Sequence, residues 1–365
     1  MNNKNNKIKV AVGVSGGVDS SVAAALLKEQ GYEVIGVFMK FWAETVKGAV
    51  RENICCSLES SEDARKVCQK LDIPFYVIDM KAPFKKNIVN DFIDKYKNCL
   101  TPNPCVRCNK YIKFNELWNK LKPMGVDFVA TGHYVNNQET KKSRNQEIKS
   151  KLKKGKDVNK DQSYFLHQVK QDQLKHCLFP LGDYTKDEVR KLAKKYGLPT
   201  ASKKESQEIC FVSDGKLGNF LKKYIKFESG PIVNIENNEK VGEHEGLPLY
   251  TIGQRKGIRL PGGPWFVTGF DQSQNALHVS RQEEDLMKKE FKVKDVNWIS
   301  GQEPKLPFKC KCKVRYRTDV STCIVRKLSS SKYHVELKKT ERAITPGQYC
   351  VFYKGDECLG GGEIV

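Results

Sequence analysis

Apolar positions follow one rhythm in the first half of the chain and another in the second. Residues 8–14, IKVAVGV, form a short β-rich run that ends in Ser-Gly-Gly, after which Val22, Leu26 and Leu27 recur at helical spacing. That pattern predicts strand, tight turn and helix. Further strands are predicted from Tyr32 to Met39, Phe75 to Met80 and Asp127 to Thr131, with helices over Ser61 to Leu71, 84–97 and 110–122 between them. The last of these strands runs into Gly132-His133-Tyr134. Alternating strands and helices predict a parallel α/β sheet, whose strand ends and helix starts frame a binding crevice. Another helix is expected from Thr185, at capping-box spacing to Glu188, through Val189, Leu192 and Ala193 to Gly197-Leu198-Pro199.

This α/β domain is expected to span 1–213. Beyond it the runs become short and broken by glycine and proline: GPIVNI, LPLYTIG, PGGPWFVTGF and ALHVS, a small β-rich central domain over 214–280. From 281 to 365 the strands FKVKDVNWI, KCKVRYR, TCIVRKL, YHVELKK and QYCVFYK recur at regular spacing, as in a compact β-barrel. Between Lys141 and Lys160 the chain carries nine Lys or Arg against two acids, which reads as an exposed hairpin or loop.

Length and charge refine this picture. A chain of 365 residues has room for two or three domains with cores of their own. No run approaches the roughly 18 apolar residues of a membrane span, so no membrane role is expected. Lys and Arg number 64 against 43 Asp and Glu, a net charge of +21, which suits a polyanionic partner. A lysine-rich proteome would give the same surplus, so placement must decide. The 13 cysteines are odd in number, and MNNKNNKIKV lacks the apolar core of a signal peptide, so a reducing cytoplasmic compartment is expected. Most of the thiols, including Cys68, Cys177 and Cys323, then read as ordinary core or surface groups, and Cys55-Cys56 as incidental.

Gly13-Val14-Ser15-Gly16-Gly17-Val18-Asp19-Ser20 lies between the first strand and its helix. Glycines there let backbone N–H groups reach an anion, the serine hydroxyls add donors, and the helix N-terminus adds a favourable dipole. The segment matches neither the Walker sequence nor GxGxxG. SGGVDS instead resembles the PP-loop of the N-type ATP pyrophosphatases, which are adenine nucleotide hydrolase-like in fold and split ATP into AMP and pyrophosphate. With FMKFW (38–42), TPNPCVRCN (101–109), ATGHY (130–134), KDQSYFL (160–166), SQEICF (206–211), YTIGQRKGI (250–258) and TPGQYCVFY (345–353), the chain resembles the tRNA-specific 2-thiouridylases from the first strand to the final GDECLGGG.

That resemblance implies ATP-dependent 2-thiolation of a tRNA wobble uridine. It assigns Gly13 to Ser20 to the phosphates, Met39 to the adenine region and Gly132 to the nucleotide's edge. Asp19 has the hard oxygen ligands that suit Mg²⁺, and also suits a helix N-terminus by charge alone. Cys210 matches the persulfide carrier and Cys108 its partner cysteine. Cys105 stands where many relatives carry an Asp that acts as general acid/base. The target base is implied near Asn103, Pro104 and Cys105, with further tRNA contacts at His133, Lys160, Asp161, Gln162 and Gln348. Basic and aromatic side chains interleave at Arg315-Tyr316-Arg317, as backbone pairing and base stacking would need. A separate persulfide-carrying protein is the expected sulfur donor, and a monomer the expected state.

Two other chemistries fit the same residues. Cys105, Cys108 and Cys210 supply three soft thiolates that could hold an iron-sulfur cluster, or less readily zinc, as the sulfur carrier. A PP-loop amide or amidine synthetase would use the phosphate loop and need neither Cys108 nor Cys210. A third reading, an RNA-binding module with a degenerate nucleotide loop, is opposed by the complete SGGVDS.

Overall fold

Val10, Ala11 and Val12 are all buried, as three successive apolar positions must be when a strand is covered on both faces. The computed structural model describes residues 7–46, 49–51, 57–139, 149–204, 209–212 and 217–365. Along the chain, β1 (Lys9–Gly13) is followed by β2 (Glu33–Lys40), a small hairpin of β3 (Glu44–Val46) and β4 (Ala49–Arg51), β5 (Phe75–Asp79) and β6 (Phe128–Ala130). A second hairpin, β7 (Val135–Glu139) with β8 (Ser150–Lys154), precedes the two-residue β9 (Cys177–Leu178). Five of these strands form one sheet in the order β5-β2-β1-β6-β9, and every pairing in it is parallel.

Alternation along the strands sorts their side chains into two cores. Val10, Val12, Val34 and Phe38 face the helices α1 (Val18–Glu29) and α2 (Leu58–Lys70). Ala11, Ile35 and Val37 face two longer helical stretches, α3 (81–97) and α4 (104–121). Both begin earlier than the sequence pattern predicts, and each contains a π-helical segment, Lys85–Val89 and Cys108–Glu116, which shifts the apolar stripe off a 3.6 period. Asn103 accepts a hydrogen bond from the Val106 N–H and Pro104 occupies the first turn, so Asn-Pro starts α4 rather than ending a loop. The helix α5 (Lys186–Lys195) has the expected capping box: Thr185 accepts from the Glu188 N–H, and Glu188 accepts from the Thr185 N–H.

The central strands β10 (Gly230–Asn234), β11 (Lys240–His244), β12 (Phe266–Asp271) and β13 (Ala276–Ser280) form a sheet of their own. Here LPLYTIG is a 3₁₀ turn at Leu247–Leu249, where Pro248 favours a turn, and not a strand. The barrel comprises β14 (Met287–Trp298), β15 (Phe308–Lys313), β16 (Ser321–Lys327), β17 (Lys332–Arg342), β18 (Tyr349–Lys354) and β19 (Glu357–Ile364), closed by pairing of β14 with β19. Gly360-Gly361-Gly362 hid the last strand from a reading based on β propensity. KCKVRYR stops as a strand at Lys313, and Arg315 to Arg317 fall in the following turn.

β8 pairs with β19, so the hairpin of the first domain extends the barrel sheet. The basic stretch is therefore ordered sheet over 150–154, with Ser150 and Leu152 buried, while 141–148 lie outside the described residues. So do Cys55-Cys56 and the expected boundary at 213/214. Among the described residues no helix is long and apolar enough to cross a membrane.

The barrel is tied to the α/β domain by buried polar contacts. Lys95 of α3 meets Glu363 of β19 at 2.6 Å, with both side chains nearly closed to solvent. Gln168 donates to the Gly361 carbonyl at 2.6 Å, and His167, fully buried, hydrogen-bonds the Tyr164 carbonyl through Nδ1 at 2.6 Å. Burial lowers the His167 pKa to about 3.

Two stability measurements follow. Lys95→Met, which leaves Glu363 in a low-dielectric site with Lys294 3.7 Å away, should cost about 3 kcal/mol by urea unfolding, and adding Glu363→Leu should recover much of it. His167 stays neutral when folded but protonates when unfolded below its ordinary value near 6.5. Its contribution is thus complete above that pH and lost as pH falls toward 3, by about 2 kcal/mol at pH 5. His167→Asn should flatten the stability-pH curve between 6.5 and 5 by that amount; an unchanged slope would show that other groups set it.

Candidate functional site

The lateral order of the parallel sheet reverses between β1 and β6, and the crevice opens at their carboxyl ends. Gly13 closes β1 there, and a Cβ built on it would lie 3.5 Å from Met39 Cε at the end of β2. The loop from Gly13 into α1 is shaped by its serines. Ser20 Oγ accepts from the Ser15 N–H at 3.1 Å and donates to the Gly17 carbonyl at 3.1 Å, while Ser21 Oγ donates to the same carbonyl at 2.8 Å. Gly17 takes the N-cap position with no side-chain cap, so the positive end of the helix faces the crevice. Val14 and Val18 are buried and anchor the loop from below.

Two glycines permit the approach of neighbouring backbone. Gly16 has φ of +72°, and a Cβ there would come within 2.3 Å of the Ser60 carbonyl oxygen in α2. Gly132, after β6, lies against the first turn of α1, where a Cβ would meet Asp19 C at 2.7 Å and Ser20 N at 2.8 Å. Gly13, Met39 and Gly132 are thus gathered around one loop.

Asp19 is held by two partners. Lys186 Nζ lies 2.7 Å from Oδ1 and 2.9 Å from Oδ2, and the Tyr134 hydroxyl donates to Oδ1 at 2.7 Å. Both Asp19 oxygens are engaged by an ammonium, so a Mg²⁺ at this carboxylate would have to displace Lys186, and the residues do not present a ready Mg²⁺ site. Neither Lys186 nor Tyr134 was singled out from the sequence: the capping box marks the start of α5, but nothing in it relates position 186 to position 19.

The cysteines lie on the other face of the sheet. Cys105 is exposed in the first turn of α4, and Cys108, one turn on, is buried among Phe41, Phe84, Ile112 and Phe211. Cys210 is half-buried and packs on that same apolar cluster, so residues 102 apart in sequence share one environment. Ser206 to Glu208, which precede it, lie outside the described residues. Among the described residues no three His, Cys, Asp or Glu side chains come together as a metal-ligand set. Cys105, Cys108 and Cys210 do not converge, and an iron-sulfur cluster or zinc does not fit them as they stand.

The residues expected to touch tRNA are distributed unevenly. Asn103 caps α4 and Pro104 is buried beneath it. His133 is buried, bonded to Thr131 Oγ1 at 2.7 Å and packed between Phe114 and Phe179. Burial, with Lys113 nearby, holds its pKa well below the usual value, so the ring is neutral. Asp161 is buried and receives the Ser163 N–H at 3.1 Å and the Ser163 hydroxyl at 2.9 Å, so it turns the chain into a short helix. Gln162 exchanges hydrogen bonds with the Tyr134 backbone in both directions, and Lys160 adjoins this turn, its N–H bonded to Asp157. Gln348 donates to the Thr101 carbonyl at 2.9 Å, bracing the segment that leads into Asn103-Pro104-Cys105. Tyr316 rests on Phe165 with ring centroids 4.4 Å apart, and Arg315 bonds back to the Arg342 carbonyl, so these two serve packing within the protein.

Three family models match the chain in succession. They are described as a tRNA methyl transferase HUP domain over residues 8–214, a tRNA methyl transferase PRC-barrel domain over 218–281 and an aminomethyltransferase beta-barrel domain over 288–364. Similar chains bear the name tRNA-specific 2-thiouridylase MnmA. That of Clostridium perfringens is 45% identical over 361 residues, 98% of either chain. That of Geobacillus thermodenitrificans is 43% identical over 368 residues, covering 100% of this chain and 96% of the relative. That of Clostridioides difficile is 44% identical over 359 residues, again 98% of either.

The tight fit of Gly132 against α1 yields a direct test. Gly132→Ala should push the 131–134 loop off the phosphate loop and weaken ATP binding about tenfold, with a smaller loss of stability, as overpacking of a close contact does. Unchanged binding would mean that the two segments are not required to touch.

Proposed function

The chain belongs to the tRNA-specific 2-thiouridylase family, and from that premise we propose that it activates the wobble uridine of tRNA with ATP and replaces the C2 oxygen with persulfide sulfur. The observation that carries the proposal is the pairing of two features: an uncapped helix N-terminus behind a serine-glycine loop at the sheet's switch point, and two cysteines in one apolar cluster on the other face of the sheet.

In the proposed reaction, the flipped-out base presents its C2 oxygen to the α-phosphate of ATP. The new O–P bond forms as the α–β anhydride opens, and pyrophosphate departs with the bonding electron pair. N–H groups of the Gly13 to Ser20 segment face the phosphates and stabilise that growing charge. The terminal sulfur of a Cys210 persulfide then attacks C2 and AMP leaves. Cys108 thiolate attacks the inner Cys210 sulfur to release the product's sulfur, which leaves a Cys108–Cys210 disulfide for an external thiol to reduce. Exposed Cys105, at the start of α4, sits by the expected place of the base, and a thiol there is the proton-transfer group in place of a carboxylate. The enzyme would work in the cytoplasm as a monomer and receive sulfur from a separate persulfide-carrying protein.

The descriptions of the matching family models speak of methyl transfer and the relatives' names of thiolation. A methyl transfer has no use for two thiols in one apolar cluster of a chain that also carries a pyrophosphate-type loop, which favours sulfur. The same pair argues against an amide or amidine synthetase.

Unmodified tRNA, ATP and a persulfide donor would be supplied to wild-type protein and to Cys210→Ser. Sulfur incorporation should fall about a thousandfold in the variant while tRNA-dependent pyrophosphate release persists. Incorporation that survives in Cys210→Ser would overturn the persulfide role, and an absence of pyrophosphate release from wild-type protein would overturn the activation step.

A further inference from the structure

An ammonium stands where a metal ion was expected. Lys186 is one of the few buried lysines among the described residues, and its Nζ contacts both oxygens of Asp19 within the phosphate loop. The pair spans 167 positions and joins the first residue of α5 to the first turn of α1. Placement is rigid at both ends. The Lys186 N–H donates to Asp157 at 2.9 Å, the Thr185–Glu188 capping box fixes the start of α5, and Tyr134 presents its hydroxyl to Asp19 and its ring to the ammonium 5.9 Å away.

A carboxylate inside an anion cradle is a liability. A triphosphate entering beside Asp19 would meet like charge at short range unless a cation neutralised it. Lys186 provides that cation, and its flexible stem lets the ammonium turn from one anion to another nearby. Resting on the nucleotide reading given above, we propose that Lys186 is a phosphate-contacting residue of this site: it neutralises Asp19 in the empty enzyme and exchanges onto the pyrophosphate moiety when nucleotide is bound. Tyr134 keeps one hydrogen bond to Asp19 during the exchange. The ammonium's part is to offset the charge left on the departing pyrophosphate.

Binding of inorganic pyrophosphate and of ATP by calorimetry would test this in wild-type protein, Lys186→Met, Lys186→Arg, Asp19→Asn and the Lys186→Met/Asp19→Asn double variant. Lys186→Met should weaken pyrophosphate binding about tenfold or more, the factor a charge-assisted hydrogen bond sets. Lys186→Arg, which keeps the charge, should recover part of it. Asp19→Asn should bind pyrophosphate at least as well as wild type, because its lysine is released. The double variant carries the decision. If it stays as weak as Lys186→Met, the ammonium itself contacts phosphate; if it returns to within about twofold of wild type, Lys186 only cancels Asp19 and the proposal fails. Wild-type binding that Lys186→Met leaves intact would also overturn it. Wild-type protein that binds neither ligand would overturn the nucleotide reading as well.

Discussion

The structure depends on burial of β1 on both faces. Once Val10 and Val12 are committed to one core and Ala11 to the other, neither face of the central strand can meet a ligand, and its carboxyl end must do so. The reversal of strand order beside β1 opens that end, and α1 turns away from it with its N–H groups exposed. The closeness of Gly132 to Asp19 and of Gly16 to Ser60 follows, because the turns after two adjacent strands and the start of α2 crowd one space. Apolar packing thus fixes where an anion can bind, and polar groups refine it.

The barrel acts on that site indirectly. Its last strand carries Glu363 to Lys95, its carbonyls receive Gln168, and its Gln348 braces the residues before Asn103. α3 and the start of α4 are held by the barrel as well as by their own core. Contacts of this kind tie the α/β domain to the barrel, and the exposed thiol of Cys105 stands on a segment supported from two sides.

Much of the fold was legible because its signals were local. Alternating strand and helix patterns gave the parallel sheet, regularly spaced β-like runs gave five of the barrel strands, and the Thr185 capping box gave the start of α5. The π-helical segments and the triple-glycine strand were not legible: the first break the 3.6 period, and the second lacks side chains to carry one. For the site, SGGVDS marked the loop between β1 and α1, and the family resemblance supplied the phosphate role expected of it. The part that stayed hidden is the long-range pair of Asp19 with Lys186, because a single lysine has no sequence context that names its partner, whereas the family resemblance had already related Cys108 to Cys210. Gln348, Tyr316 and Arg315 also have partners within the protein that the sequence did not announce: the Thr101 carbonyl, the Phe165 ring and the Arg342 carbonyl.

The strand pairing between β8 and β19 has a consequence for how the chain is made. Lys151 and Glu357, which form an ion pair at 3.0 Å, lie 206 positions apart. During synthesis the β7–β8 hairpin emerges with one edge bare, and the strand that covers it follows about 200 residues later. Its lysines and the short length of β8 are the features by which sheet edges avoid adhering to other chains. The positive charge of this stretch thereby suits a nascent molecule to the interval before β19 arrives.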